Sequence, residues 1–287
     1  RALTTADGIV RALMPEVRER TEDVDGQPWF RLEADGTDPS RAPVLYLHGV
    51  PTSSGIWRPF LERTGGIAPD LPGFGRSGKR GDGDYTMEGY DRFVERLLDH
   101  LGIERVRLVV QDWGGVGLLW AQRFPERVER LVIMDAVPLL PGYRWHRLAR
   151  AWRTRWLGEI AMGLTIKPVL RFISRESNAT PGPLPKDMVD EIAEALDQGT
   201  QRAILRLYRT SPESKLALAG TRLGELTCPA LVAWGDRDPY VPAHFADAYA
   251  AELGGPAQVL HLPDAGHWPW LDRPDLVETV AAFLDAG

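Results

Sequence analysis

The sequence predicts an α/β domain: a mostly parallel sheet covered by helices on both faces, interrupted after its sixth strand by an all-helical insertion. Three observations carry this. Short apolar runs alternate with segments whose apolar residues recur at helical spacing, the pattern of strands buried on both faces between amphipathic helices. The alternation stops at Pro138, shows no strand-like run up to about Thr221, and resumes at Pro229. A chain of 287 residues is long enough for one such domain with an insertion. The expected division is a core over 1–137, a helical cap over 138–221 and the rest of the core over 222–287.

The elements follow in order. Residues 16 to 35 read as two short strands around an Asp25-Gly26 hairpin turn, the second strand running from Gln27 to Leu32. A polar loop from Thr37 to Pro43 leads to an apolar strand, Val44 to Leu47, which runs into His48-Gly49-Val50-Pro51. Ile67 to Leu71 is the next strand, followed by Pro72-Gly73-Phe74-Gly75-Arg76-Ser77. Thr86 to Leu101 has helical apolar spacing and is closed by Gly102. The β-branched run Val106 to Val110 comes next, then Gln111-Asp112-Trp113-Gly114-Gly115 and a helix over Val116 to Phe124. Leu131 to Met134 is a buried strand ending at Asp135. In the insertion, Tyr143 to Leu157 reads as one helix with Trp145, Trp152 and Trp156 sharing a face, and helices follow at Lys186 to Leu196 and Thr200 to Arg209. Beyond it come a strand at Pro229 to Trp234, a helix at Ala243 to Leu253, a strand at Gln258 to Leu262 and a helix at Pro274 to Leu284.

Composition narrows the function classes. Thirty-four basic against 40 acidic residues give a net charge of −6, which argues against nucleic acid as the main partner. The single cysteine, Cys228, excludes an intrachain disulfide. The first 20 residues have no apolar core of the secretory type, and no apolar run approaches the roughly 20 residues of a membrane helix. A start on Arg1 rather than Met suits a trimmed chain, and a cytoplasmic location without a membrane partner is expected.

The residues that could carry chemistry sit at strand ends. Asp112 lies where a strand turns sharply into a helix, so its carboxylate stands above the sheet near a helix N-terminus and can serve as a nucleophile toward carbon. A cap for the following helix is the plainer role, but the Gly114-Gly115 pair exceeds what a cap requires. His267, on the loop Asp264-Ala265-Gly266 after the last strand, is placed as the general base. His100, His146, His244 and His261 read as surface histidines. A carboxylate must orient the imidazole; Asp238 is favoured by chain order, with Asp135 as the alternative. The backbone N–H groups of Val50 and Trp113 are placed to form an oxyanion hole. No cofactor or metal is expected.

These motifs together resemble the α/β-hydrolases, in the group that holds epoxide hydrolases and haloalkane dehalogenases. The resemblance implies attack by Asp112 on an sp³ carbon and hydrolysis of the resulting ester by a water that His267 activates. The small apolar substrate would be an epoxide or a haloalkane. Trp113, together with Trp145, Trp152 or Trp156, offers indole N–H donors for a halide. Val50 stands where many dehalogenases carry Asn, and Leu207-Tyr208-Arg209 resembles the Tyr-Arg pair whose phenol protonates an epoxide oxygen, with Tyr143 the candidate for the other tyrosine. On that balance the expectation is an epoxide hydrolase, with a haloalkane dehalogenase as the alternative. A fluoroacetate-type dehalogenase is disfavoured by Trp113 in place of Arg, and a non-catalytic receptor or cofactor-free oxygenase ranks lower still.

Overall fold

The computed structural model describes residues 15–36 and 38–286, so the first 14 residues of the N-terminal stretch read above, and Thr37, lie outside it. Eight strands form one sheet: β1 (Arg18–Asp23), β2 (Pro28–Ala34), β3 (Val44–Leu47), β4 (Gly66–Pro69), β5 (Val106–Gln111), β6 (Val128–Met134), β7 (Ala230–Gly235) and β8 (Ala257–Leu262). Their spatial order is β1-β2-β4-β3-β5-β6-β7-β8. Only β2 runs against the others, because a two-residue turn with positive φ at Asp25 and Gly26 reverses the chain.

Side chains alternate across the sheet, which gives two cores. Leu45, Leu47, Leu108 and Val110 face one layer, with α2 (Met87–His100) and α3 (Gly117–Arg123) against them. Tyr46, Val109 and Val132 face the other, covered by α1 (Arg58–Thr64) and α12 (Leu276–Asp285). No helix among the described residues is long and apolar enough to cross a membrane.

Between β6 and β7 every regular element is helical: α4 (Arg147–Arg153), α5 (Leu157–Leu164), α6 (Lys167–Ile173), α7 (Lys186–Ala195), α8 (Gln198–Thr210) and α9 (Glu213–Ala219). Here the structure corrects the sequence reading. The expected single helix over 143–157 is broken: α4 ends at Thr154, and Trp156 takes φ +67° before α5 begins. Arg209 accounts for the break. Its guanidinium binds the Trp152 carbonyl at 3.2 Å, which a continuing helix would have used, reaches the Thr154 carbonyl at 3.3 Å beside that group's bond from the Gly158 N–H, and pairs with Glu159 at 2.7 Å. Periodicity cannot register a partner about fifty residues away.

Among its contacts with the core, the insertion is pinned beside the histidine loop. The Ser177 carbonyl accepts the His267 N–H at 2.8 Å, and Asp272 accepts N–H groups from both Ala179 and Gly266. A side chain at Gly266 would press a carbon to 2.1 Å from the Ser177 carbonyl oxygen, so only glycine allows this closure.

Candidate active site

Asp112 occupies the turn between β5 and the helical run that leads into α3, at φ +49°, a conformation costly for a non-glycine residue. The turn is this tight because Gly114 lies under β3; a Cβ there would sit 2.0 Å from the Leu47 carbonyl. One carboxylate oxygen, Oδ1, accepts the Val50 N–H at 2.7 Å, and the Trp113 N–H also bonds the carboxylate. Both backbone donors named from sequence therefore converge on it. The other oxygen, Oδ2, stands 3.6 Å from His267 Nε2. Burial raises the Asp112 pKa to about 6, despite His267 and the two N–H donors, which favour the anion.

His267 Nδ1 lies 2.8 Å from Asp238 Oδ2, and the other Asp238 oxygen accepts the Tyr240 and Val241 N–H groups at 2.7 and 3.2 Å. The Gln111 amide reaches His267 Nε2 at 3.3 Å and the His267 carbonyl at 3.1 Å. A donor at Nε2 assigns the neutral ring's proton to Nδ1, facing Asp238, and leaves Nε2 as the basic nitrogen. Burial alone would lower the His267 pKa; Asp238 and Asp112 together outweigh it and raise it.

Asp135 does not touch His267. It is fully buried at φ +41°, its Oδ1 accepts the Gly235 N–H at 3.0 Å, and its other oxygen has no donor among the described residues. Burial, then the neighbouring Asp238 charge, pushes its pKa far up. Both effects favour the neutral form of Asp135 beside Asp238.

Above these groups lies a cavity of about 70 Å³, lined mainly by apolar side chains that include Val50, Leu148, Met162, Leu170 and Ile204. It holds roughly five waters' worth of space, which suits a short substrate. Tyr208 and Trp152 line it. Trp113 packs edge-on against Tyr208 with ring centroids 5.1 Å apart. Its indole N–H is buried beside the Tyr208 hydroxyl, toward which it is a weak donor, and meets no acceptor at full hydrogen-bond geometry among the described residues.

Four residues assigned to the pocket from sequence do not line it, and the first, Trp113, sits beside Asp112 but packs between Tyr208 and Trp145. Trp156 is 70% exposed, because it caps the broken helix rather than continuing it. Trp145 stacks on Trp113 outside the cavity and donates its N–H to the Ser211 carbonyl at 3.2 Å. The Tyr143 hydroxyl donates to the Tyr240 carbonyl at 3.4 Å and does not line the cavity.

Other residues enter unforeseen. His146 is no surface histidine: it lines the cavity, packs against Tyr240 at a tilt with ring centroids 4.9 Å apart, and has its pKa lowered to about 4 by burial. Tyr240 packs edge-on to His267 at 5.0 Å and hydrogen-bonds Ser177. Trp268 lines the cavity beside His267, and its indole N–H is buried without a described partner. Its position directly after the histidine was the available signal. Among the described residues no group of three or more potential metal ligands converges.

Residues 42–274 match the family model described as the alpha/beta hydrolase fold. The chain belongs to the α/β-hydrolase fold family. This α/β-hydrolase is 31% identical over 266 residues to a haloalkane dehalogenase of Mycolicibacterium paratuberculosis, covering 85% of this chain and 84% of that one. A haloalkane dehalogenase of Agrobacterium fabrum is 43% identical over 103 residues, a stretch covering 34% of either chain. A cis-3-alkyl-4-alkyloxetan-2-one decarboxylase of Xanthomonas campestris is 30% identical, covering 84% of this chain and 88% of that one. Among solved structures, a haloalkane dehalogenase from Bradyrhizobium elkani aligns with a TM-score of 0.79 at 28% identity, covering 94% of this chain and 98% of that one. The α/β-hydrolase is thus an enzyme of the hydrolase type, and the likeness to dehalogenases favours the second of the two substrate readings over the epoxide.

Proposed function

We propose that this α/β-hydrolase is a haloalkane dehalogenase, with the helical segment 138–221 as its cap. Asp112 Oδ2 attacks the carbon that carries the halogen; the carbon–halogen bond breaks and halide leaves with the electron pair. His267 Nε2 then takes a proton from water as its oxygen adds to the ester carbon. The negative oxygen that forms is stabilised by the Val50 and Trp113 N–H groups. Collapse breaks the bond to the alcohol oxygen, which takes the proton from His267, and Asp112, left as the carboxylic acid, returns to the carboxylate by losing its proton to solvent. Asp238 holds the imidazole and stabilises its charged form.

The observation that carries the halide reading is the buried, unpartnered indole N–H of Trp268, which lines the cavity beside His267; the Trp113 indole lies next to Asp112 but packs against Tyr208 outside the cavity lining. An indole is a weak, neutral donor, suited to a soft anion that gains nothing from protonation. Trp268 would then supply the donor that Val50 lacks. Two other buried indoles without partners, Trp57 and Trp120, pack against Tyr46, Phe60, Trp270 and Phe124 instead.

A second reading rests on Tyr208. It lines the cavity, and burial beside Asp112 keeps its phenol protonated, the state needed to donate to an epoxide oxygen. Halide release from a short bromoalkane, diol formation from a short epoxide and turnover of a four-membered lactone distinguish the chemistries. The dehalogenase reading expects halide release, reduced about 10- to 100-fold by Trp113→Phe and by Trp268→Phe, with Tyr208→Phe changing it less than about fivefold. Diol without halide, abolished by Tyr208→Phe, would reverse the assignment.

The rate should also depend on acid. Asp112 must be ionised to attack, so kcat/KM is expected to fall about tenfold per pH unit below its pKa of about 6. A profile flat down to pH about 4 would remove Asp112 from the first step.

A further inference from the structure

The helices α5 and α6 have two faces with different tasks. Met162, Thr165, Leu170 and Ile173 point into the catalytic cavity. On the outside, Trp156, Ile160, Leu164, Ile166 and Phe172 stand between 59% and 74% exposed. Trp156, Ile160 and Leu164 recur every fourth residue, so they form one stripe along α5. Such a row of large apolar side chains in water is unusual for a soluble surface.

Charge identifies what covers it. Residues 147–175 carry seven Lys and Arg against the single acid Glu159, a net +6, in a chain whose net charge is −6. The one acid is bound by Arg209, and Arg147, Arg153 and Lys167 pair with Glu176, Glu213 and Asp190 outside this stretch, while Arg150, Arg155, Arg171 and Arg175 form no ion pair with a described residue. Arg155 lies over the Trp156 ring at 5.3 Å. The remainder of the chain is therefore at −12, and the molecule carries a strong charge asymmetry that turns this face toward an anionic surface. A symmetric contact with a second copy would set the positive face against itself. Aromatic and aliphatic side chains flanked by arginines match a bilayer interface, where rings enter the headgroup layer and guanidinium groups meet lipid phosphates.

We propose that the outer face of α5 and α6 docks on anionic lipid, with the catalytic cavity directly behind it. The proposal concerns where the enzyme sits and is independent of which leaving group it expels.

The test is co-sedimentation of the full chain with phosphatidylcholine vesicles, with or without about one-third phosphatidylserine, at about 0.1 M and about 1 M salt. Binding to the serine-containing vesicles is expected, weakened at least about tenfold in their absence or at high salt. Ile160→Ser with Phe172→Ser should weaken it about tenfold or more. Arg155→Glu with Arg171→Glu should do so by about 25-fold or more, at about fivefold per arginine. All four side chains lie outside the cavity, so turnover of a water-soluble substrate should be unchanged and reports that each variant folds. No binding to either vesicle, or equal binding to both, would overturn the proposal. So would self-association, seen by light scattering, that Phe172→Ser abolishes in a chain that ignores vesicles.

Discussion

Asp112→Asn is expected to lose at least about 10⁴-fold in turnover and to gain stability at the same time. The loss follows from replacing the attacking carboxylate with an amide. The gain follows from linkage. The Asp112 pKa is about 6 in the folded state against an ordinary 3.8, so the folded protein binds this proton more tightly than the unfolded chain. The stability tied to that proton is fully present below pH 3.8 and is lost as pH rises through about 6. Two pKa units amount to about 3 kcal/mol, and Asn, which never ionises, should recover about 1–3 kcal/mol of it at pH about 8. Denaturant unfolding of both proteins at pH about 8 and about 3.5 measures this; the gain should vanish at the lower pH. An Asn variant of unchanged stability at both would mean that the carboxylate carries no such burden.

The second large effect separates the two buried acids. Asp238→Asn should lower kcat by about 10³–10⁴-fold, because an amide facing Nδ1 favours the wrong imidazole tautomer and cannot stabilise its cation. Asp135→Asn should cost less than about threefold. Burial and Asp238 favour the neutral form of Asp135, and an amide can keep both the oxygen that accepts the Gly235 N–H and an N–H toward Asp238. A mild Asp238 variant beside an inactive Asp135 variant would exchange their roles. Asp135→Ala is the harsher control, since it removes the Gly235 partner and opens a void next to the triad.

Much of the fold was legible because it depends on local rules. Strands buried on both faces must be mostly apolar, as Leu108–Val110 and Leu131–Met134 are, and a strand that stops at a lone carboxylate followed by two glycines has few other meanings. Asp112, Val50, Trp113, His267 and Asp238 come together because each lies at a strand end or in the loop just beyond it. What escaped depends on distant partners. Arg209 breaks a helix by binding its carbonyls, which throws Trp156 to the surface and leaves Trp145 behind Trp113. Gln111, given no role from sequence, reaches His267 because β5 and the histidine loop end side by side. The leaving-group question turned on the same gap: indoles were sought in the insertion, whereas the buried, unpartnered indole that lines the cavity beside the triad follows the histidine itself.

Oxygen tracing tests the ester mechanism most directly. With enzyme in excess over a short bromoalkane in H₂¹⁸O, a first turnover should give alcohol with unlabelled oxygen, because that atom comes from Asp112. The label should appear in the Asp112 peptide, where water has added to the ester carbon. Alcohol carrying ¹⁸O in the first turnover, with an unlabelled Asp112, would mean that water attacks the substrate directly and would contradict the nucleophilic role of this carboxylate.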